Sequence, residues 1–132
     1  MICPVLIIED ELLIAESIFA MLSEESYHIA GIASNYAEAK ALFQKSPSPS
    51  LVICDINLKD GEYGVEIISK LKTSHDFEVI FLTVNSDPKT VHDAMAINHA
   101  SYLTKPFTQK QLLVSVQIAA HRFYNKLNVE NI

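Results

Sequence analysis

The sequence predicts an α/β protein whose centre is a parallel sheet covered by helices on both faces. Three observations carry that prediction. Short apolar, β-branched runs alternate five times with longer segments of helical period. The connections between them are short, so each crossover returns to the sheet in the right-handed sense and the helices divide between its two faces. Leu51-Val52-Ile53-Cys54 is apolar without alternation, as a strand buried on both sides requires.

The first run, Pro4 to Ile8, ends in Glu9-Asp10-Glu11. Ile14, Ile18, Met21 and Leu22 follow at helical spacing with Ala15 and Phe19 alongside, while Glu16, Ser17, Ser23 and Glu24 take the other side. That is an amphipathic helix. His28 to Ala33 is a second strand, weakened by Gly31. Asn35 with Glu38 marks a helix start, because an Asn side chain satisfies free N–H groups of the first turn. This helix is expected to bury Ala37, Ala41 and Leu42 or Phe43, and Ser46-Pro47-Ser48-Pro49 breaks it. The strand Leu51 to Asp55 comes next, then a polar turn from Asn57 to Gly64. Val65, Ile67, Ile68 and Leu71 predict the third helix, ended by Thr73-Ser74. Val79 to Thr83 is the fourth strand. Asp87-Pro88 combines an N-cap residue with proline at the first helical position. The helix it opens is expected to bury Val91, Ala94, Met95 and Ile97. Ala100 to Thr104 is the fifth strand, terminated by Lys105-Pro106. Thr108 with Gln111 has the form of a capping box, followed by the stripe Leu112, Val116, Ala119 and Phe123. Asn125 to Ile132 carries no signal.

At 132 residues, 49% hydrophobic and 20% charged, the chain reads as one globular domain. The run Val5-Leu6-Ile7-Ile8 meets acids at once, which is neither a signal peptide nor a membrane span. A cytoplasmic location without membrane contact is the expectation. Cys3 and Cys54 have no metal or redox spacing and read as reduced thiols. A net charge of −6 argues against direct binding to nucleic acid.

In a parallel sheet the C-terminal ends of all strands share one edge, and ligands bind there. The residues falling on that edge are Glu9 and Asp10, Asp55, Thr83 and Lys105. Singly they are unremarkable: Asp55 reads as a turn residue, Lys105 as a solvated loop charge, Thr83 as a strand end. Together they are not. Converging carboxylates repel one another unless a cation joins them. Oxygen-only ligands without Cys or His favour Mg²⁺, or Mn²⁺ in its place, over zinc. Mg²⁺ takes one or two carboxylates together with phosphate oxygens. Lys105 supplies a point charge for a phosphoryl oxygen and Thr83 a hydroxyl. A carboxylate is itself a competent nucleophile towards phosphorus, giving an aspartyl phosphate.

Leu6-Ile7-Ile8-Glu9-Asp10-Glu11, Val52-Ile53-Cys54-Asp55, Phe81-Leu82-Thr83 and Tyr102-Leu103-Thr104-Lys105-Pro106-Phe107 resemble the motifs of the receiver domain of two-component response regulators. The resemblance covers residues 4–125 and leaves 126–132 as a tail or linker stub. It implies a flavodoxin-like fold with strand order 2-1-3-4-5. It implies that Asp55 accepts a phosphoryl group from a histidine kinase or phosphotransfer protein. Asp10, Asp55 and the backbone carbonyl of Asn57 would bind Mg²⁺ directly and Glu9 through water. Thr83 and Tyr102 would form a switch pair remodelling the face of the fourth helix, fifth strand and fifth helix for an output partner or domain, a face that also allows a homodimer. The domain would be a phosphoacceptor rather than an enzyme proper.

Some positions depart from the family pattern. Val84 stands where Ala, Gly or Ser is usual, and its bulk is expected to crowd access to Asp55. Lys59 replaces a common proline, and the loop to Gly64 runs one residue longer. Asn98 replaces a frequent glycine at a turn suited to the left-handed conformation. The five histidines share no ligand spacing and read as surface or loop residues. Two other readings use the same residues. One is an interaction module independent of phosphorylation, although none of the five site residues is missing. The other is a small aspartyl-phosphate phosphatase of the haloacid-dehalogenase type, which would want Asp where Asn57 stands. A flavin-binding protein is excluded by the acids after the first strand, which would repel a phosphate.

Overall fold

The computed structural model describes residues 3–84 and 87–130, with side chains up to Lys126. Five strands and five helices alternate: β1 (Val5–Ile8), α1 (Leu12–Glu24), β2 (Ile29–Ala33), α2 (Tyr36–Phe43), β3 (Leu51–Asp55), α3 (Gly64–Lys72), β4 (Glu78–Thr83), α4 (Pro88–Met95), β5 (Ala100–Thr104) and α5 (Gln109–Glu130). All strand pairs are parallel, in the order β2-β1-β3-β4-β5.

Strand periodicity divides the apolar side chains between two layers. Leu6 and Ile8, Val52 and Cys54, Val79 and Phe81 face one core with Ala39 and Phe43 of α2, Ile67, Ile68 and Leu71 of α3, and Ala94 of α4. Val5 and Ile7, Leu51 and Ile53, Ile80 and Leu82 face the other with Ala15, Ile18 and Leu22 of α1 and Leu112, Val116 and Ala119 of α5. Each of the Val, Leu, Ile and Phe side chains among them contributes about 1.5–3 kcal/mol by leaving water. β1, β3 and β4 are therefore buried throughout, and β2 and β5 form the half-buried edges.

The helix starts follow the capping chemistry. Asn35 Oδ1 accepts the Glu38 N–H at 2.9 Å, and Asp87 Oδ1 accepts that of Thr90 at 2.8 Å. Thr108 and Gln111 bond reciprocally, at 2.9 and 3.1 Å. β2 runs through Gly31, but its pairing with β1 slips by one residue between Ile29 and Gly31; a Cβ at Gly31 would lie 2.8 Å from the Leu42 side chain, so the glycine lets α2 lie close on the strand.

Several expectations need correction. α2 buries Ala39 and Phe43, while Ala37 and Ala41 are exposed and Leu42 is half-buried. An alanine-rich helix has no stripe dominant in size, and the Phe43 ring sets the rotation by packing on Phe77 at 5.0 Å between centroids. In α1, Phe19 is exposed. In α4, Thr90 and Ala94 are buried, Val91 is half-buried and Met95 is exposed. The turn before β5 places His99, not Asn98, in the left-handed region, with φ 57°. His75 is half-buried and stacks on Phe43. α5 continues past Asn125 to Glu130, because no Gly or Pro stops it and Lys126 pairs with Asp76 at 2.6 Å. Residues 131 and 132 of the expected tail lie outside the described residues.

Glu78 begins β4 one residue before the expected start and is only 1% exposed. Its Oε2 lies 3.1 Å from His99 Nδ1, and its Oε1 lies 2.9 Å from Arg122 Nη2 on α5. The Arg122 contact is an ion pair without hydrogen-bond alignment. A buried carboxylate needs its partners. Arg122→Ala should therefore lower stability by about 1–3 kcal/mol, read as a lower midpoint in urea at neutral pH with an unchanged slope. An unaltered midpoint would show that His99 suffices.

Candidate functional site

The strand order fixes which residues can meet. β1 and β3 are neighbours, so Glu9 and Asp10, which follow β1, lie beside Asp55 at the end of β3. The carboxylates of Glu9, Asp10 and Asp55 each offer an oxygen within 4.8 Å of the others, the one such group of potential metal ligands found among the described residues. Glu9 and Asp55 are buried, and Asp10 is half-buried. Lys105 leaves the end of β5 and bridges two of the acids, its Nζ 3.3 Å from Glu9 Oε1 and 3.4 Å from Asp55 Oδ1. Its backbone N–H donates to the Thr83 carbonyl at 2.8 Å, and its peptide bond to Pro106 is cis.

The electrostatics are unbalanced. Three carboxylates meet one close ammonium, so negative charge is in excess at this edge. Burial, and then the Asp55 carboxylate, push the Glu9 carboxyl above its ordinary value; Lys105 only partly opposes them. Asp10 divides its two oxygens. Its Oδ2 accepts the backbone N–H groups of Lys59 at 2.6 Å and Asp60 at 3.2 Å. Its Oδ1 is buried without a hydrogen-bond partner. A buried acceptor left unpaired is costly, and a divalent cation beside Glu9 and Asp55 would satisfy both the orphaned oxygen and the excess charge. The donor set, all oxygen, fits Mg²⁺.

The remaining predicted residues are placed as follows. Thr83 is fully buried at the end of β4, between β3 and β5. Tyr102 is half-buried on β5, opposite Phe81 of β4. Asn57 is exposed, and its backbone pairs with Tyr63 in an isolated antiparallel bridge. Val84 is 75% exposed. Lys59, at the proline position, forms an ion pair with Glu11 across the loop.

Gly64 is a site residue that the sequence did not reveal by chemistry. A Cβ there would lie 2.3 Å from the Asp55 carbonyl oxygen and 2.9 Å from Ile56 Cα. Its N–H donates to the Ile56 carbonyl at 2.6 Å. Beneath it, the Cys54 thiol donates to the Asp55 carbonyl at 3.4 Å; burial pushes that thiol well above its ordinary value, so it remains protonated. Its position at the end of a loop holding two glycines was the one available signal.

Fold and site together define a receiver. The model of the response regulator receiver domain matches residues 5–117, and the chain belongs to that family. Among its relatives, the transcriptional regulatory protein PdtaR of Mycobacterium tuberculosis is 34% identical over 119 residues, covering 90% of this chain and 57% of PdtaR. The phyllosphere-induced regulator PhyR of Methylorubrum extorquens is 35% identical over 83 residues, covering 63% of this chain and 31% of PhyR. The chain spans about half the length of PdtaR and of a pneumococcal response regulator matched over a comparable stretch. The receiver domain of Erythrobacter litoralis PhyR superposes with a TM-score of 0.78 at 29% identity, covering 91% of each chain. A CheY-like receiver from Methanospirillum hungatei shares the fold, with a TM-score of 0.83 at 22% identity over 96% of this chain and 99% of that one. These relatives are regulators by name. No helix among the described residues is long and apolar enough to cross a membrane.

Gly64→Ala should displace the Asp55 backbone and cost about 1–3 kcal/mol, the usual penalty for overpacking. Chemical denaturation measures the cost, and amide shifts at Cys54 to Ile56 report the displacement. Wild-type shifts at those residues would mean that the loop yields instead.

Proposed function

We propose that this chain is a phosphoacceptor receiver in which Asp55 takes a phosphoryl group from the phosphohistidine of a partner kinase or phosphotransfer protein. The observation that carries the reading is the cluster of Glu9, Asp10 and Asp55 with Lys105 3.4 Å from Asp55 and Asp10 Oδ1 buried without a partner. In the transfer, an Asp55 carboxylate oxygen forms a bond to phosphorus while the bond from phosphorus to the histidine nitrogen breaks. The electron pair leaves with the imidazole. Bound Mg²⁺ would neutralise charge on the equatorial phosphoryl oxygens. Asp10 and Asp55, with the Asn57 carbonyl, are the direct ligands in this reading, and Glu9 acts through water. Lys105 exchanges its contact with Asp55 for one with a phosphoryl oxygen, and Thr83 contacts another.

Thr83 and Tyr102 stand on the adjacent strands β4 and β5, which supports their role as the switch pair. Phosphorylation biases two arrangements of the α4-β5-α5 face, and an output partner, an output domain or a second copy reads the difference. The receiver unit in this reading is 4–125, with the end of α5 leading away from it.

Incubation with acetyl phosphate and Mg²⁺ should add ~80 Da to the intact chain, one phosphoryl unit captured at a carboxylate. Asp55→Ala should add none, and omitting Mg²⁺ should strongly reduce labelling. Labelling of Asp55→Ala to the wild-type extent would reject the assignment, and sustained turnover of small phosphate esters would instead favour a phosphatase. In a second measurement, Val84→Ala should gain and lose its label faster than wild type, since a smaller side chain stands beside the path to Asp55. Identical time courses would remove Val84 from the mechanism.

A further inference from the structure

The loop between β3 and α3 is held at both ends of its span. On one side, the Lys59 and Asp60 N–H groups bond to Asp10 Oδ2. On the other, Tyr63 precedes α3 in an extended conformation and pairs with Asn57, two residues after Asp55. Bonds from Leu58 to Glu62 and from Gly61 to Leu58 close the loop between them. The backbone of Asn57 therefore moves with that of Tyr63.

The Tyr63 side chain then leaves the loop. Its hydroxyl donates to Asp93 Oδ2 on α4 at 2.8 Å. Lys89, one turn earlier on α4, donates to the same oxygen at 2.9 Å, and its ammonium lies 5.6 Å from the Tyr63 ring centroid. The Tyr63–Asp93 hydrogen bond and the Lys89 ammonium over the Tyr63 ring thus join the loop to a helix that buries little. Only Thr90 and Ala94 of α4 are buried, and its Asp87 cap bonds within its own first turn. A helix with so small an apolar footing is placed in large part by its polar ties.

We infer that Tyr63 is a positioning residue that ties the docking of α4 to the conformation of the Asn57 backbone through the hydrogen bond from its hydroxyl to Asp93. The inference rests on the reading of Glu9, Asp10, Asp55 and Asn57 as the Mg²⁺ site and extends it. Because coupling between two sites is reciprocal, α4 held in place favours the cation-binding form of the loop, and the occupied site favours the docked helix. This route enters α4 from β3, separately from the one through Thr83 and Tyr102. A purely structural Tyr63 would be an aromatic packed against the core beside α2 and α3. Phenylalanine would serve that purpose equally well, so the hydroxyl alone separates the two roles.

The test uses the full chain as wild type, Tyr63→Phe, Asp93→Ala and the double variant, followed by amide chemical shifts during Mg²⁺ titration. In the metal-free Tyr63→Phe protein, amides of α4 and of Asn57 should shift together. Its Mg²⁺ dissociation constant should rise about two- to tenfold, the range expected for one ordinary hydrogen bond lost next to solvent. The double variant should bind no more weakly than the weaker single variant, as members of one pathway do. Unchanged Mg²⁺ affinity in Tyr63→Phe, or effects that add in the double variant, would overturn the inference while leaving the site intact. If Mg²⁺ leaves the wild-type amides of Glu9, Asp10 and Asp55 unmoved, the site itself is misread and the inference goes with it.

Discussion

Lys105 reaches two carboxylates from a strand that is not their neighbour. β5 is separated from β3 by β4, a span of about 10 Å at ordinary strand spacing. Only a long, unbranched, charged side chain closes that distance, and it does so where the acids of β1 and β3 repel one another most. Its ammonium cannot neutralise all three. The site is therefore held together and left short of positive charge by the same residue, and everything arranged around it follows from that imbalance. Gly64 has no side chain because α3 must start against the Asp55 carbonyl. The β3-α3 loop turns its N–H groups onto Asp10. Cys54 fills the space below.

The fold was legible because its signals are local and redundant. Asn35, Asp87 and Thr108 each start a helix with a side chain that satisfies backbone N–H groups in the first turn, and no tertiary contact is needed to read them. Three of the five strands, β1, β3 and β4, are strongly apolar, and the C-terminal ends of β1 and β3 name the acidic cluster directly. What escaped was decided by contacts between distant segments. Which face of α2 turns inward depends on Phe77, far along the chain. Glu78 reads as a polar residue before a strand until Arg122 and His99 are brought to it. The left-handed residue before β5 is His99 rather than Asn98, and His99 is also the residue that reaches Glu78; propensity favours Asn at such a position, but the pairing with Glu78 accompanies the shift by one.

Membership of the receiver family accounts for the strand order and the acids at the sheet edge, but it does not describe the loop that follows Asp55. Here that loop carries Lys59, which pairs with Glu11, and Tyr63, which pairs with Asp93. Its two ends thus contact the segment before α1 and the middle of α4. The individuality of this chain lies in what surrounds the acids.

The buried Glu78 has a mechanical meaning as well as an energetic one. It lies at the edge of the sheet away from the acids, and with Asp76 it fastens α5 through Arg122 and Lys126. At its other end, the Gln109 amide donates to Glu24 at 3.1 Å on the surface, and Leu112 and Val116 hold the first turns in the core. The two ends of α5 are thus held by different forces: ion pairs fasten the end far from the acids, and apolar packing seats the turns that follow Lys105.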